Sequence, residues 1–124
     1  MTLFQILYLF IYSIGMVVGQ ILFKLSAESQ LKAWVSGVDY SYVGKFYNLI
    51  SDVYFVSAIA LYFLLSGFWV WILSFTPISS AYPFVALSFV ITPLLGSFFF
   101  GETLEIKNYL SILFIFIGVF ILAR

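Results

Sequence analysis

Ala81 to Gly101, AYPFVALSFVITPLLGSFFFG, is uncharged from end to end and long enough to cross the hydrocarbon core of a bilayer. A helix that faced only lipid would need no proline, yet this one carries Pro83 and Pro93 together with serine, threonine and glycine. Each proline removes a backbone donor and disturbs a helical hydrogen bond. Hydrocarbon tolerates the freed carbonyl only where protein or water satisfies it again. The ten-residue separation places one weak point near a membrane face and another near mid-depth. The stretch therefore reads as the wall of a pathway, flanked by three plainer apolar runs.

Composition agrees with a membrane solvent. Of 124 residues 65% are hydrophobic and 8% charged, against about 25% charged in a soluble domain. The expected fold is an all-α, integral-membrane bundle of four transmembrane helices, spanning about 3–23, 53–75, 79–100 and 105–123, with a polar or interfacial loop over 24–52. Zero net charge and the absence of histidine argue against a nucleic-acid partner. With no cysteine there are no disulfides, thiolate metal sites or cysteine nucleophiles. The five carboxylates are all read as loop residues, so neither an enzyme nor a metal or other cofactor is expected. The first apolar run is too long for a signal-peptide core and lacks a basic leader, so it reads as a retained helix.

The first span, Leu3 to Phe23, is read as ending at Lys24, where a cation complements the helix dipole and can snorkel. Gln5, Tyr8, Tyr12, Gly15 and Gly19 share one of its faces. Gly15 and Gly19 form a GxxxG pair that admits a close helix, either within the chain or across a dimer seam. Gln20 is the polar group deep in the lower half. The loop that follows is read as two short amphipathic pieces around a turn at Ser36 to Asp39. Leu31, Trp34 and Val35 mark the first piece, and Val43, Phe46, Tyr47 and Ile50 the second. The second either lies in the headgroup layer or extends the next helix into water. In the second span, Trp69 and Trp71 suit an aromatic belt, while Tyr62, Ser66 and Trp69 share a face able to meet a polar headgroup. Gly101 permits a sharp turn, after which Glu102 is placed at the start of the fourth helix, favoured by its dipole. Ser111 and Gly118, seven apart, form a small-residue seam for a dimer or for packing within the chain. Arg124 is an interfacial anchor. Lysines on the loop side outnumber Arg124 on the other, which puts the loops in the cytoplasm.

The order of these features resembles a known family. Gly19-Gln20 with Lys24 is followed by Pro77 to Pro83, containing Ala81-Tyr82-Pro83. Next come Ser88-Phe89-Val90, then Gly101-Glu102, then a run from Ser111 to Val119. The chain is similar to four-helix members of the drug/metabolite transporter superfamily, which includes EamA-type and small multidrug resistance transporters. Within it the likeness is strongest to subunits of the bacterial aminoarabinose-phosphoundecaprenol flippase, and it does not cover the long first loop. The resemblance implies a multi-pass protein of the bacterial inner membrane, acting as a homodimer or as a heterodimer with a similar small subunit. It implies a flippase for a polyprenyl-phosphate-linked sugar used in envelope glycan or lipid A modification. Small multidrug exporters keep a glutamate eight residues before the lysine; here that position is Met16, and no charge is expected inside any span. Proton-coupled cation export is disfavoured accordingly.

A lipid-linked sugar phosphate keeps its tail in the bilayer, so the protein need shield only the sugar and one phosphate. Gln20, Tyr62, Tyr82, Ser88 and Thr92 are the candidate hydrogen-bonding residues, and Lys24 the candidate phosphate ligand. Pro83, Pro93, Gly101 and Glu102 shape the turns. Against this stand plainer roles: Lys24 snorkelling or pairing with Glu102, and Ser88 and Thr92 bonding their own helix carbonyls. A multidrug-type exporter and a non-transporting assembly subunit are the competing functions.

Overall fold

The computed structural model describes residues 2–35 and 42–123, without the side chains of 33–35. The turn expected at Ser36 to Asp39, the side chains of Trp34 and Val35, and the Arg124 anchor lie outside the described residues. Among the described residues six helices follow one another: α1 (Leu3–Val35), α2 (Tyr42–Ile50), α3 (Val53–Leu73), α4 (Ile78–Phe84), α5 (Leu87–Phe100) and α6 (Ile106–Ala123). Because α4 and α5 form one interrupted span, four stretches of the described residues are long and apolar enough to cross a membrane: Leu3–Lys32, Val53–Leu73, Ile78–Phe100 and Ile106–Ala123. The protein is an all-α, multi-pass membrane protein.

The first helix corrects the sequence reading. Charges begin at Lys24, but α1 continues to Val35. Leu25 to Val35, LSAESQLKAWV, is rich in good helix formers and holds no glycine or proline, so nothing there stops the helix. The extension beyond the apolar run adds roughly 18 Å at 1.5 Å per residue. Lys24 thus lies within a helix and not at its C-terminus, so no helix dipole end favours its charge. The piece around Leu31 is part of α1, and the first span shares its helix with Lys24, Glu28 and Lys32. By contrast α2 is separate from α3. Asp52 stands between them in extended conformation (φ −73°, ψ 124°) and caps α3 by accepting from the Tyr54 N–H at 2.8 Å.

Both ends of the bundle are tied. At one end Thr2 and Gln5 form a capping box, the Gln5 N–H donating to Thr2 Oγ1 and the Thr2 N–H to Gln5 Oε1. Gln5 Nε2 then donates to the Phe75 carbonyl at 2.8 Å, which holds the start of α1 against the α3–α4 link. At the other end Lys24 meets Glu102, so the α5–α6 turn lies beside the α1 extension.

The wall helix breaks after Pro83 and not at Pro93. Across Val85 and Ala86 the N–H groups of Val85, Ala86, Ser88 and Phe89 each reach back three residues instead of four. The Phe84 carbonyl is left without a helical donor. Ser13, fully buried, supplies one: its Oγ lies 3.2 Å from that carbonyl and 2.9 Å from the Leu9 carbonyl. At Pro93 α5 runs on unbroken, so the expected mid-depth weakness amounts to one Phe89 carbonyl deprived of its donor.

Leu9, Ile72, Ala81, Phe84 and Val119 form the main buried cluster, with Tyr8, Tyr12, Phe68, Trp69, Leu122 and others packed around it, while Val17, Ala58, Leu65 and Val90 are buried outside it. The cluster lies in the half that holds the α3–α4 link and the end of α6. Tyr8 and Phe75 meet Trp71 edge-on, and Tyr12 stacks on Trp69 at 4.8 Å, so that half is closed by aromatic contacts. The α1–α3 seam is close because of its glycines. A Cβ on Gly15 would come within 2.8 Å of Leu65 Cδ2, and one on Gly19 within 2.6 Å of the Tyr62 ring. The GxxxG pair therefore serves packing inside the chain.

Candidate lipid-phosphate groove

In the other half α1, α5 and α6 leave a partly open groove of about 500 Å³. Gln20, Ile21 and Lys24 line it from α1, and Phe89, Thr92, Pro93, Gly96 and Phe100 from α5. Glu102, Thr103 and Leu104 contribute from the turn, and Asn108, Ser111, Ile112 and Ile115 from α6. A recess of about 290 Å³ shares Gln20, Phe89, Thr92 and Pro93 and adds Met16 and Ser88, continuing the groove deeper.

The polar groups are set by the helices that carry them. Gln20 Nε2 donates to the Tyr62 hydroxyl at 2.9 Å, and that hydroxyl donates to the Met16 carbonyl at 3.2 Å. Tyr62 stacks on Phe23 at 5.3 Å, which fixes its ring and so the Gln20 amide. The Gln20 carbonyl oxygen and one amide hydrogen remain available to a ligand. Thr92 makes no hydrogen bond within the described residues and lies one turn from the carbonyl that Pro93 leaves without a donor. Ser88 is buried and donates to the Val85 carbonyl at 2.7 Å, the own-helix arrangement weighed for it above.

Lys24 Nζ stands at the mouth, 3.5 Å from Glu102 Oε1 and 6.0 Å from the centre of the Phe100 ring. Both partners are about half exposed, and a pair of that kind contributes at most about 1 kcal/mol. Glu102 does not start the fourth helix: α6 begins at Ile106, and Gly101 at φ 65° turns the chain back so that Glu102 lies over Gly96. The two charges cancel, and below them the lining is polar but neutral.

The structure brings Gln20, Lys24, Tyr62, Ser88, Thr92, Pro93 and Glu102 together around this groove and its recess. Tyr82 does not join them; it points outward from α4, because Ala81 and Phe84 take the inward positions of that short helix. Ser111, read by its spacing as part of a seam for a dimer or for packing within the chain, lines the groove and donates to the Lys107 carbonyl at 2.8 Å. Gly118 faces open space, with nothing within 4 Å of an added Cβ.

A second polar group went unread in the sequence. Ser26 and Gln30 on the α1 extension both donate to Asp52 Oδ2 at 3.2 Å, and Asn48 of α2 donates to Gln30 Oε1 at 3.0 Å. These bonds lash the extension, α2 and the start of α3 into one platform. Desolvation pushes the Asp52 carboxyl up. Hydrogen bonds from Gln30, the Tyr54 N–H, Ser26 and the Phe55 N–H outweigh it and hold the group below the usual carboxylate range. The four-residue spacing of Ser26 and Gln30 was the available signal, once the helix is known to continue.

Five curated relatives, 31 to 37% identical, carry one description: probable 4-amino-4-deoxy-L-arabinose-phosphoundecaprenol flippase subunit ArnE. The protein from Proteus mirabilis is 31% identical over 68 residues, covering 55% of this chain and 60% of its own length. That from Hamiltonella defensa is 33% identical over 64 residues, covering 50% and 58%. That from Pseudomonas fluorescens is 37% identical over 68 residues, covering 53% and 60%. The matched stretches thus span about three-fifths of these relatives. No protein-family model matches the chain. No solved structure matches it.

Proposed function

We propose that this chain is a subunit of a flippase that moves a polyprenyl-phosphate-linked sugar between the leaflets of a bacterial inner membrane. The observation that carries the reading is the groove. One cation stands at its mouth, uncharged hydrogen-bonding groups lie deeper, and apolar walls continue toward the lipid. The phosphate meets Lys24, the sugar meets Gln20 and Thr92, and the prenyl tail stays among the acyl chains. The relatives named as flippase subunits support the same cargo class.

The loop-side half is open and the opposite half is packed shut, so the protein is poised to take cargo from the loop side, which the lysine bias makes cytoplasmic. The chain works as a dimer, with itself or with a similar small subunit. Among the described residues the groove is lined by three helices and the α5–α6 turn, and the outer face of α6 is apolar and uncovered from Tyr109 to Ile121. Cation export has less support: among the described residues Glu102 is the only carboxylate lining the groove, and it is paired with Lys24.

Native mass spectrometry of the purified protein with undecaprenyl phosphate tests this. The wild type should retain the lipid, and Lys24→Ala should weaken retention by about 10- to 100-fold, the equivalent of one lost charge-assisted contact. Unchanged retention in Lys24→Ala would place the phosphate elsewhere and remove the basis of the reading.

A further inference from the structure

We propose that the Glu102 carboxylate is a tethered stand-in for the ligand's phosphate, holding Lys24 in the empty groove and leaving it when a lipid phosphate arrives. The proposal rests on the groove being a lipid-phosphate site, and it concerns how that site sets its affinity.

The carboxylate and a phosphate share the chemistry that an ammonium recognises: anionic oxygens accepting from N–H donors. The Lys24–Glu102 separation is 3.5 Å, longer than the 2.7–2.9 Å usual for a tight charge-assisted bond, and both side chains are half exposed. The contact is therefore weak enough to exchange. Glu102 lies in the non-helical turn between Gly101 and Ile106, and its carboxylate has no hydrogen bond from the described residues, only the lysine. Nothing else would have to break for it to swing away.

Two features keep the exchange local. Glu102 reaches Lys24 by crossing Gly96, where an added Cβ would lie 2.9 Å from Oε2. The glycine thus provides the seat in which the carboxylate rests. The Phe100 ring, 6.0 Å from the lysine Nζ, lies at the outer range of a cation–π contact and gives the ammonium a second neighbour at the mouth besides Glu102. Among the described residues Lys24 is the only cation lining the groove, so an internal anion and a bound one compete for a single site. Glu102 in this role lowers affinity, which a carrier requires for release on the far side. It also spares the empty groove an uncompensated charge.

The test measures undecaprenyl phosphate binding to the full-length protein in detergent for wild type, Glu102→Gln, Gly96→Ala and the double variant, beside Lys24→Ala. Glu102→Gln should bind the lipid several-fold more tightly than wild type. Gly96→Ala, which crowds only the far end of a flexible side chain, should tighten binding in the same direction. The double variant should gain nothing beyond Glu102→Gln, because both changes free the same lysine. Should Lys24→Ala abolish binding while Glu102→Gln leaves it equal or weaker, the stand-in role is wrong and the phosphate site survives. Should Lys24→Ala and Glu102→Gln both bind like wild type, the lysine is not the phosphate site, and the stand-in role falls with it.

Discussion

The two halves of this bundle are built from similar helices yet behave as opposites. Toward the α3–α4 link, Leu9, Ile72, Ala81, Phe84 and Val119 are buried against one another and ringed by stacked aromatics. Toward the α5–α6 turn the same helices leave about 500 Å³ between them, lined by an ion pair, amides and hydroxyls. The difference lies in which residues fall where: Ala81 lets α4 sit close in the packed half, whereas Pro93 leaves the Phe89 carbonyl without its donor beside the open half without breaking α5. A groove shut at one end and open at the other suits the proposed carrier, which would accept cargo from one side.

That contrast can be tested by making one change twice. Ile72→Ala removes a fully buried side chain from the packed half and should cost roughly 2 kcal/mol in a detergent unfolding titration. This is the lower end of the range for such changes, because in a lipid-like solvent only the packing is lost. Ile112→Ala removes the same atoms from the groove wall and should cost less than about 0.5 kcal/mol, with no cavity created that is not already there. Equal losses would mean that the halves are packed alike.

A smaller effect probes the break in the wall helix. Ser13→Ala strands the Phe84 carbonyl in the packed half and should destabilise by about 1 kcal/mol. Ser88→Ala removes a hydroxyl that serves only its own turn and should be near neutral. Matching the two melting temperatures against wild type checks both.

The smallest effect concerns the platform beside the open half. With the Asp52 carboxyl held below its unfolded value of about 3.9, its contribution is fully present above that pH. It is lost as pH falls through the folded value. Wild type should therefore lose stability below about pH 4 more steeply than Asp52→Asn, which has no such proton to take up. Parallel acid-melting curves would show that Ser26, Gln30 and the Tyr54 N–H do not hold the carboxylate.

The four spans were legible because length and apolarity decide them and little else competes. The end of α1 was not: charges at Lys24, Glu28 and Lys32 mark the edge of the membrane, but a helix leaving a membrane need not stop there. Gln20 and Thr92 were legible as polar groups within apolar spans and Lys24 as a cation at the end of one; that they line one groove was not. Tyr82 was misplaced because the rotation of α4 is decided by Ala81 and Phe84, whose core contacts depend on tertiary packing. Ser13 carried no local signal at all; its role exists only because the break after Pro83 brings an orphaned carbonyl to α1. The fold of the Gly101–Glu102 turn over Gly96 was likewise invisible, since it places a carboxylate against a helix six residues back in sequence.

Single-cysteine labelling in native membranes, with a charged, water-soluble maleimide added from the loop side, tests the account most directly, because the chain has no cysteine of its own. Thr92→Cys in the groove should react readily and be protected by undecaprenyl phosphate, whereas Ala81→Cys in the packed half should stay unlabelled. An unreactive Thr92→Cys, or equal labelling at the two positions, would contradict a bundle that is wet and open in one half and sealed in the other.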